Sequence, residues 1–340
     1  MSSAWDWDTR SLGALEAFLS ARDLVDAPIS TQEIGDGHSN LTYLVTDGRR
    51  RLVVRRPPPP PLPPGGHDVL REARLLQAVE GSAVPAPRVL ATAAAGEVVD
   101  VPLVVMEYVD GTVVTDRTPE QWASAPRRRA VADSLVDTLA DLHALDWRAA
   151  GLDGLGRPEG FNTRHLARMA RLVVDHDGAL PPAFVPVHAW LATDVPAESG
   201  ESLVHLDYRL GNVMLGGAGP QVVALLDWEL ATLGDPLFDL AAFLTSWPER
   251  GVPLTPTQEM GRALLEDGYP GHHHLVERYA SRSGRDVSRL PWHLAFAQWK
   301  LAVLFEYGRR RAETGMGDPY YAGSDKVESF LAAAGRAAGA

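Results

Sequence analysis

The chain has no cysteine in its 340 residues, which excludes disulfides, thiolate metal ligands and a cysteine nucleophile, and nothing in it points to an oxidising compartment. Lysine is almost as scarce: Lys300 and Lys326 are the only two, so an anion site elsewhere depends on arginine, histidine or backbone N–H groups. Long apolar runs are missing too. The nearest, Trp292 to Tyr307, is interrupted by Lys300 and Glu306 and falls short of the roughly 18 residues a membrane span needs. An excess of positive charge is also absent. Lys plus Arg number 32 against 44 Asp plus Glu, a formal net charge of -12, and a field of that sign repels phosphate backbones and anionic lipid surfaces. Nucleic acid and membranes are therefore not expected partners. The opening stretch, Met1-Ser-Ser-Ala-Trp-Asp-Trp-Asp, is acidic and lacks the apolar core of a secretory signal, so a cytoplasmic location is expected.

What is present is the composition of a folded domain, 45% hydrophobic and 22% charged, with length for two core-sized units. Residues 11–24 carry apolar side chains at helical spacing, with Thr9 and Ser11 as candidate caps. Short β-rich runs follow at Ile29 to Ile34, Leu41 to Thr46 and Arg51 to Arg55, the last two joined by the hairpin signal Asp47-Gly48. Seven prolines between Pro57 and Pro64 predict a stiff, extended connecting loop. A helix is predicted from Asp68 to Val79, then strands at Arg88 to Ala91 and Leu103 to Tyr108. The expected fold is α+β: an N-terminal five-stranded antiparallel sheet with one inserted helix over residues 1–108, then a larger, mostly helical lobe over 109–340.

The densest chemical signal is His205-Leu-Asp207-Tyr-Arg209-Leu-Gly-Asn212, followed by Asp227. Between Asn212 and Asp227 lie two β runs around a Gly/Pro turn, a pattern that predicts a hairpin with both residues at one end. An amide oxygen and a carboxylate there make a hard oxygen site suited to Mg²⁺ that also meets substrate phosphates. Asp207 is then left to accept a hydroxyl proton. This is the template of phosphoryl transfer, in which one Asp orients the acceptor while Asn and a second Asp hold the metal.

The segments His205 to Asn212 and Leu226 to Asp239 resemble the catalytic and metal loops of the aminoglycoside phosphotransferase and choline kinase-like families, most closely the phosphotransferase domain fused ahead of some acyl-CoA dehydrogenases. The resemblance implies a bilobal protein-kinase-like fold and the use of ATP. It places Gly35, Gly37, Ser39 and Asn40 at a hairpin tip over the phosphates, although the third glycine of the protein-kinase loop is absent. It places Arg55 where the phosphate-binding lysine usually stands, and a guanidinium can fork onto two oxygens in that role. Glu72 shares a helix face with Val69, Ala73 and Leu76 and needs a cation there, for which Arg55 is the candidate. Glu107 and Val109 would meet adenine through their main chains. Arg209 would neutralise charge on the moving phosphoryl group, and Asp239 would brace the catalytic loop. Glu229 is left between a metal role and solvent.

The acceptor implied is a small-molecule hydroxyl, on an aminoglycoside, a hydroxy acid or a hydroxyacyl-CoA ester. The alternative is a non-catalytic, pseudokinase-like nucleotide-binding module, suggested by Arg55 and the incomplete glycine loop. Remaining features are read as structural. Gly234-Asp235-Pro236 marks a helix start. Consecutive His272, His273 and His274 point different ways on a helix and predict no metal site. Trp292, Phe296, Trp299, Val303 and Phe305 suit a core, while Arg127 to Arg129 and Arg309 to Arg311 are candidate contacts for an anionic acceptor.

Overall fold

The structure is a computed structural model that describes residues 7–26, 28–35, 40–58, 67–216 and 219–339. Its elements in chain order are α1 (Thr9–Ser20), β1 (Ser30–Glu33), β2 (Leu41–Thr46), β3 (Arg51–Arg56), α2 (Val69–Val79), β4 (Val89–Ala93), β5 (Leu103–Glu107), α3 (Ala125–His143), α4 (Phe161–Ala170), α5 (Val185–Thr193), β6 (Ser202–Val204), β7 (Val213–Leu215), β8 (Val222–Leu225), β9 (Thr232–Gly234), α6 (Pro236–Thr245), α7 (Pro256–Glu259), α8 (His272–Ser283), α9 (Leu290–Glu313) and α10 (Asp325–Ala338). They form two compact units. One holds the chain up to Gly111 together with Val223–Glu229, and the other holds Thr112–Val222 and Leu230–Ala340.

The first unit is built on the five-stranded sheet, every neighbouring pair antiparallel, in the order β1-β2-β3-β5-β4. The β2–β3 hairpin turns where Asp47-Gly48 predicts it. Asp47 Oδ1 accepts the N–H groups of Arg49 and Arg50 at 2.8 and 2.7 Å, and Gly48 takes the positive φ of +85° that the turn requires. One sheet face, with Leu41, Tyr43, Val45, Leu52, Val54, Leu103 and Val105, packs on Leu15, Phe18 and Leu19 of α1. Helix α2 packs on β4 and β5. Leu103 to Met106 of β5 are all buried, as expected of a strand covered on both faces by helices, since alternate side chains point to opposite sides.

Helix ends follow local chemistry. Asp68 is the N-cap of α2, accepting the Arg71 N–H at 2.9 Å, rather than its first residue. Helix α1 is capped by Asp8, which takes the Ser11 N–H at 2.7 Å; the expected caps Thr9 and Ser11 lie inside the helix. A carboxylate accepts an orphan N–H and also favours the positive end of the helix dipole.

The second unit is mainly helical. Helix α9 lies at its centre, packed on α4, α5, α6 and α10, with Trp292, Phe296, Trp299 and Val303 buried. These residues are core, and burying one such side chain contributes about 1.5–3 kcal/mol. Helices α3 and α8 pack together and are laced by Arg278 to Asp137 at 2.6 Å and Arg282 to Asp141 at 2.7 Å. The turn after β7 is closed by the Gly216 N–H donating to the Gln221 carbonyl at 2.8 Å. Among the described residues, no helix is long and apolar enough to cross a membrane.

Candidate active site

In the first unit the structure gathers Arg55, Glu72 and Asp227. Arg55 projects from β3, the central strand of the sheet, and its Nε lies 3.1 Å from Glu72 Oε2 while its Nη2 donates to Asp227 Oδ1 at 3.0 Å. The Glu72 contact is a close ion pair whose angle misses that of a hydrogen bond. Glu72 is 3% exposed. Burial pushes its carboxyl up to about 7, reinforced by the negative charges of Asp227 and Glu229 and opposed by Arg55.

Asp227 is held by its own short segment. Leu225 donates its N–H to the Pro85 carbonyl at 2.8 Å, and the buried Trp228 indole donates to the Leu225 carbonyl at 2.9 Å. Asp227 itself sits at φ 64°, a left-handed conformation uncommon for a residue with a Cβ. Such backbone is retained where its surroundings fix it. Glu229 accepts at its main-chain carbonyl from Arg71 Nη1 at 3.1 Å.

The remaining expected residues of this unit are placed as follows. Gly35 has φ +89°. Asn40 is buried, its Oδ1 3.2 Å from His67 Nδ1, so its amide is engaged with the chain before α2. Gly37 and Ser39 lie outside the described residues, as does the proline run beyond Pro58. Glu107 donates its N–H to the Arg88 carbonyl at 2.9 Å and accepts the Arg88 N–H on its side chain at 3.2 Å. Val109 follows the end of β5 and is partly buried.

In the second unit the loop after β6 carries Asp207, Arg209 and Asn212. Asn212 Nδ2 donates to Asp207 Oδ2 at 2.6 Å and to the Asp207 carbonyl at 2.8 Å. Arg209 Nε stands 3.4 Å from Asp207 Oδ1. With the Asn212 amide nitrogen engaged, its oxygen is the atom left to offer to a cation. Leu206 occupies φ 64°, and the turn there is pinned by Asp239 of α6. The two Asp239 oxygens accept the His205 and Leu206 N–H groups, each at 2.7 Å. Asp239 is fully buried. Burial works against its charge, yet hydrogen bonding to His143 and the loop N–H groups keeps the carboxyl below its ordinary value. Asp235 is the N-cap of α6 as its sequence predicts, accepting the Leu237 N–H at 2.9 Å.

Asp207 and Arg209 line a cavity open to solvent, about 70 Å³ in volume, which Phe238, Thr245, Met260 and Lys300 also line. Lys300 is the member that sequence reasoning left unplaced. Its only sequence signal was its rarity as a lysine inside an otherwise apolar helical stretch. The three consecutive histidines diverge: His272 meets the Trp247 carbonyl, His273 meets Glu277, and His274 meets Asp133. Arg128 pairs with Glu266, and Arg309 and Arg310 close on Glu306.

Comparison with known proteins bears on the family and the fold. The profile of the family described as "Phosphotransferase enzyme family" matches residues 30–275. Acyl-CoA dehydrogenase family member 11 of Rattus norvegicus is 31% identical over 90% of this chain, and family member 10 of Mus musculus is 32% identical over 85%. The chain spans 39% and 27% of the lengths of those two relatives. A crystal structure of a Ralstonia eutropha protein, provisionally described as an aminoglycoside phosphotransferase, superposes with a TM-score of 0.78 at 27% identity, covering 98% of this chain and 96% of that one. A thermostable mutant of aminoglycoside phosphotransferase APH(4)-Ia in a ternary complex with AMP-PNP and hygromycin B shares the fold at a TM-score of 0.63 and 15% identity, covering 97% of this chain and 98% of that one. A five-stranded antiparallel sheet with a buried cation–carboxylate pair, a helical unit carrying an Asp–Asn loop over a cavity, and a family match across most of the chain lead to one conclusion: this chain belongs to the phosphotransferase enzyme family and has its bilobal, kinase-like α+β fold.

Proposed function

We propose that the protein transfers the γ-phosphoryl group of ATP to a hydroxyl of a small molecule, with Mg²⁺. The observation that carries this reading is Asp207, a partly exposed carboxylate oriented by the Asn212 amide at 2.6 Å and facing a cavity that opens to solvent. A carboxylate so placed accepts the acceptor's hydroxyl proton as its oxygen forms the new bond to phosphorus and the bond from phosphorus to the β–γ bridging oxygen breaks. Arg209 offsets negative charge on the transferring group. Arg55, steadied by Glu72, orients phosphate oxygens with its two-pronged donor. Gly35, Gly37, Ser39 and Asn40 are assigned to the phosphate-covering turn, and the Glu107 and Val109 main chain to adenine.

Asn212 and Asp227 each offer a hard oxygen, the donor chemistry that Mg²⁺ prefers. When bound, the metal would neutralise phosphate charge and help align the nucleotide. The chemistry of the acceptor is either an aminoglycoside, a hydroxy acid or a hydroxyacyl-CoA ester. A nucleotide-binding module without catalysis has no use for Asp207 held ready over a cavity, which counts against that alternative.

The experiment is a mass-spectrometric search for phosphorylated product with ATP across aminoglycosides, amino alcohols, hydroxy acids and hydroxyacyl thioesters, comparing the native chain with Asp207→Ala. Product formed by the native chain and lost in the variant supports the reading. Equal rates in both contradict it.

A further inference from the structure

The cavity at Asp207 has three charged groups in its lining: Asp207, Arg209 and Lys300. Arg209 is paired with Asp207. Lys300 projects from α9, deep in the second unit, and its Nζ lies 5.3 Å from the centre of the Phe238 ring. Among the described residues no carboxylate comes within salt-bridge distance of it; Asp207 and Asp239 act on it only at longer range. Burial lowers its ammonium to about 8, with Asp207 and Asp239 favouring the charged form and Arg168 opposing it. It therefore remains about nine-tenths protonated at pH 7. Lys300 is partly exposed, so its ammonium, with no close counter-ion, opens onto the cavity, and an anionic ligand that meets it there gains a charge-assisted hydrogen bond.

Three arginines of the other basic clusters in this unit are already paired with carboxylates. Arg128 is closed on Glu266, and Arg309 and Arg310 on Glu306. Lys300 is also one of only two lysines among 32 basic residues. An ammonium on a flexible stem suits a single anionic group of variable position, whereas arginine's rigid fork demands a planar partner.

We propose that Lys300 selects the acceptor, and that the acceptor carries an anionic group, in the simplest case a carboxylate, that reaches Lys300 while its hydroxyl faces Asp207. This inference rests on the phosphotransfer reading above and narrows it. A polycationic aminoglycoside would bring like charge against Lys300 and is disfavoured. A hydroxy acid puts opposite charge there.

The test measures kcat and KM on matched acceptors: short hydroxyalkanoates with the hydroxyl at several positions, their primary amides, the corresponding amino alcohols, and one aminoglycoside. The native chain is expected to prefer the acid over its amide by about tenfold or more in kcat/KM, an increment typical of one charged contact. Lys300→Met is expected to abolish that preference by raising KM for the acid while changing the amide less than about threefold, and Lys300→Arg to restore part of it. Melting temperature and ATP affinity show that each variant is folded. A native preference for amide, amine or aminoglycoside overturns the inference even if Lys300→Met fails to fold. So does a Lys300→Met variant that slows acid and amide alike, since that marks Lys300 as a support for Asp207 and not a selector. ATP binding with no acceptor phosphorylated is a separate result, which removes the phosphotransfer reading and this inference with it.

Discussion

A single amide nitrogen of Asn212 donates both to the carboxylate of Asp207, at 2.6 Å, and to its main-chain carbonyl, at 2.8 Å. The side chain and the backbone of the proposed base are thus fixed together by one neighbour five residues on. Asn212→Ala removes this brace and one oxygen offered to Mg²⁺. Turnover is expected to fall about 10- to 100-fold, the usual cost of losing an orienting partner, with a higher Mg²⁺ concentration needed for half-maximal rate. A magnesium titration of the transfer rate checks it.

Glu72 makes stability depend on pH in a defined direction. Its carboxyl titrates near 7 in the folded protein against 4.5 as its ordinary value, so between those values the folded state holds a proton that the unfolded chain has released. Stability from this group is complete below about pH 4.5, declines as pH rises, and is lost by about pH 7, a change of roughly 3 kcal/mol at most. Denaturant unfolding of nucleotide-free protein from pH 5 to 7.5 is expected to show this decline relative to Glu72→Gln, in which the amide does not titrate.

Asp239 is the buried anchor of the loop that presents Asp207. Asp239→Ala leaves the His205 and Leu206 N–H groups and His143 without their common acceptor. A loss of about 3–5 kcal/mol is expected, since removing one partner strands the others in the interior. Turnover should fall as well, because Leu206 is no longer held at its positive φ. Urea unfolding and single-turnover rates measured on the same preparation separate the two effects.

Much of the fold was legible in the sequence because it depends on local signals. Asp47-Gly48 set the β2–β3 turn, alternation set the strands, and the Val69–Ala73–Leu76 stripe set the buried face of α2. Glu72 on that stripe foretold its pairing with Arg55, since a buried carboxylate needs a cation. What escaped depends on distant chain. No local pattern marks the left-handed turns at Leu206 and Asp227, where glycine would have been the signal. The engagement of Asn40 by His67 and the docking of Leu225 on Pro85 join residues far apart in sequence. Lys300 was visible as a rare residue, but its place in the cavity with Asp207 is set by the packing of α9.

The most direct measurement of the central claim is transfer from ATP to an acceptor whose hydroxyl carries ¹⁸O, followed by mass spectrometry of the product, with the native chain and Asp207→Asn in parallel. The account expects ¹⁸O retained in the new phosphate ester and a rate lower by about 10²–10⁴ in the variant, the range for loss of a general base. Undiminished transfer by Asp207→Asn, at equal ATP affinity, would contradict it.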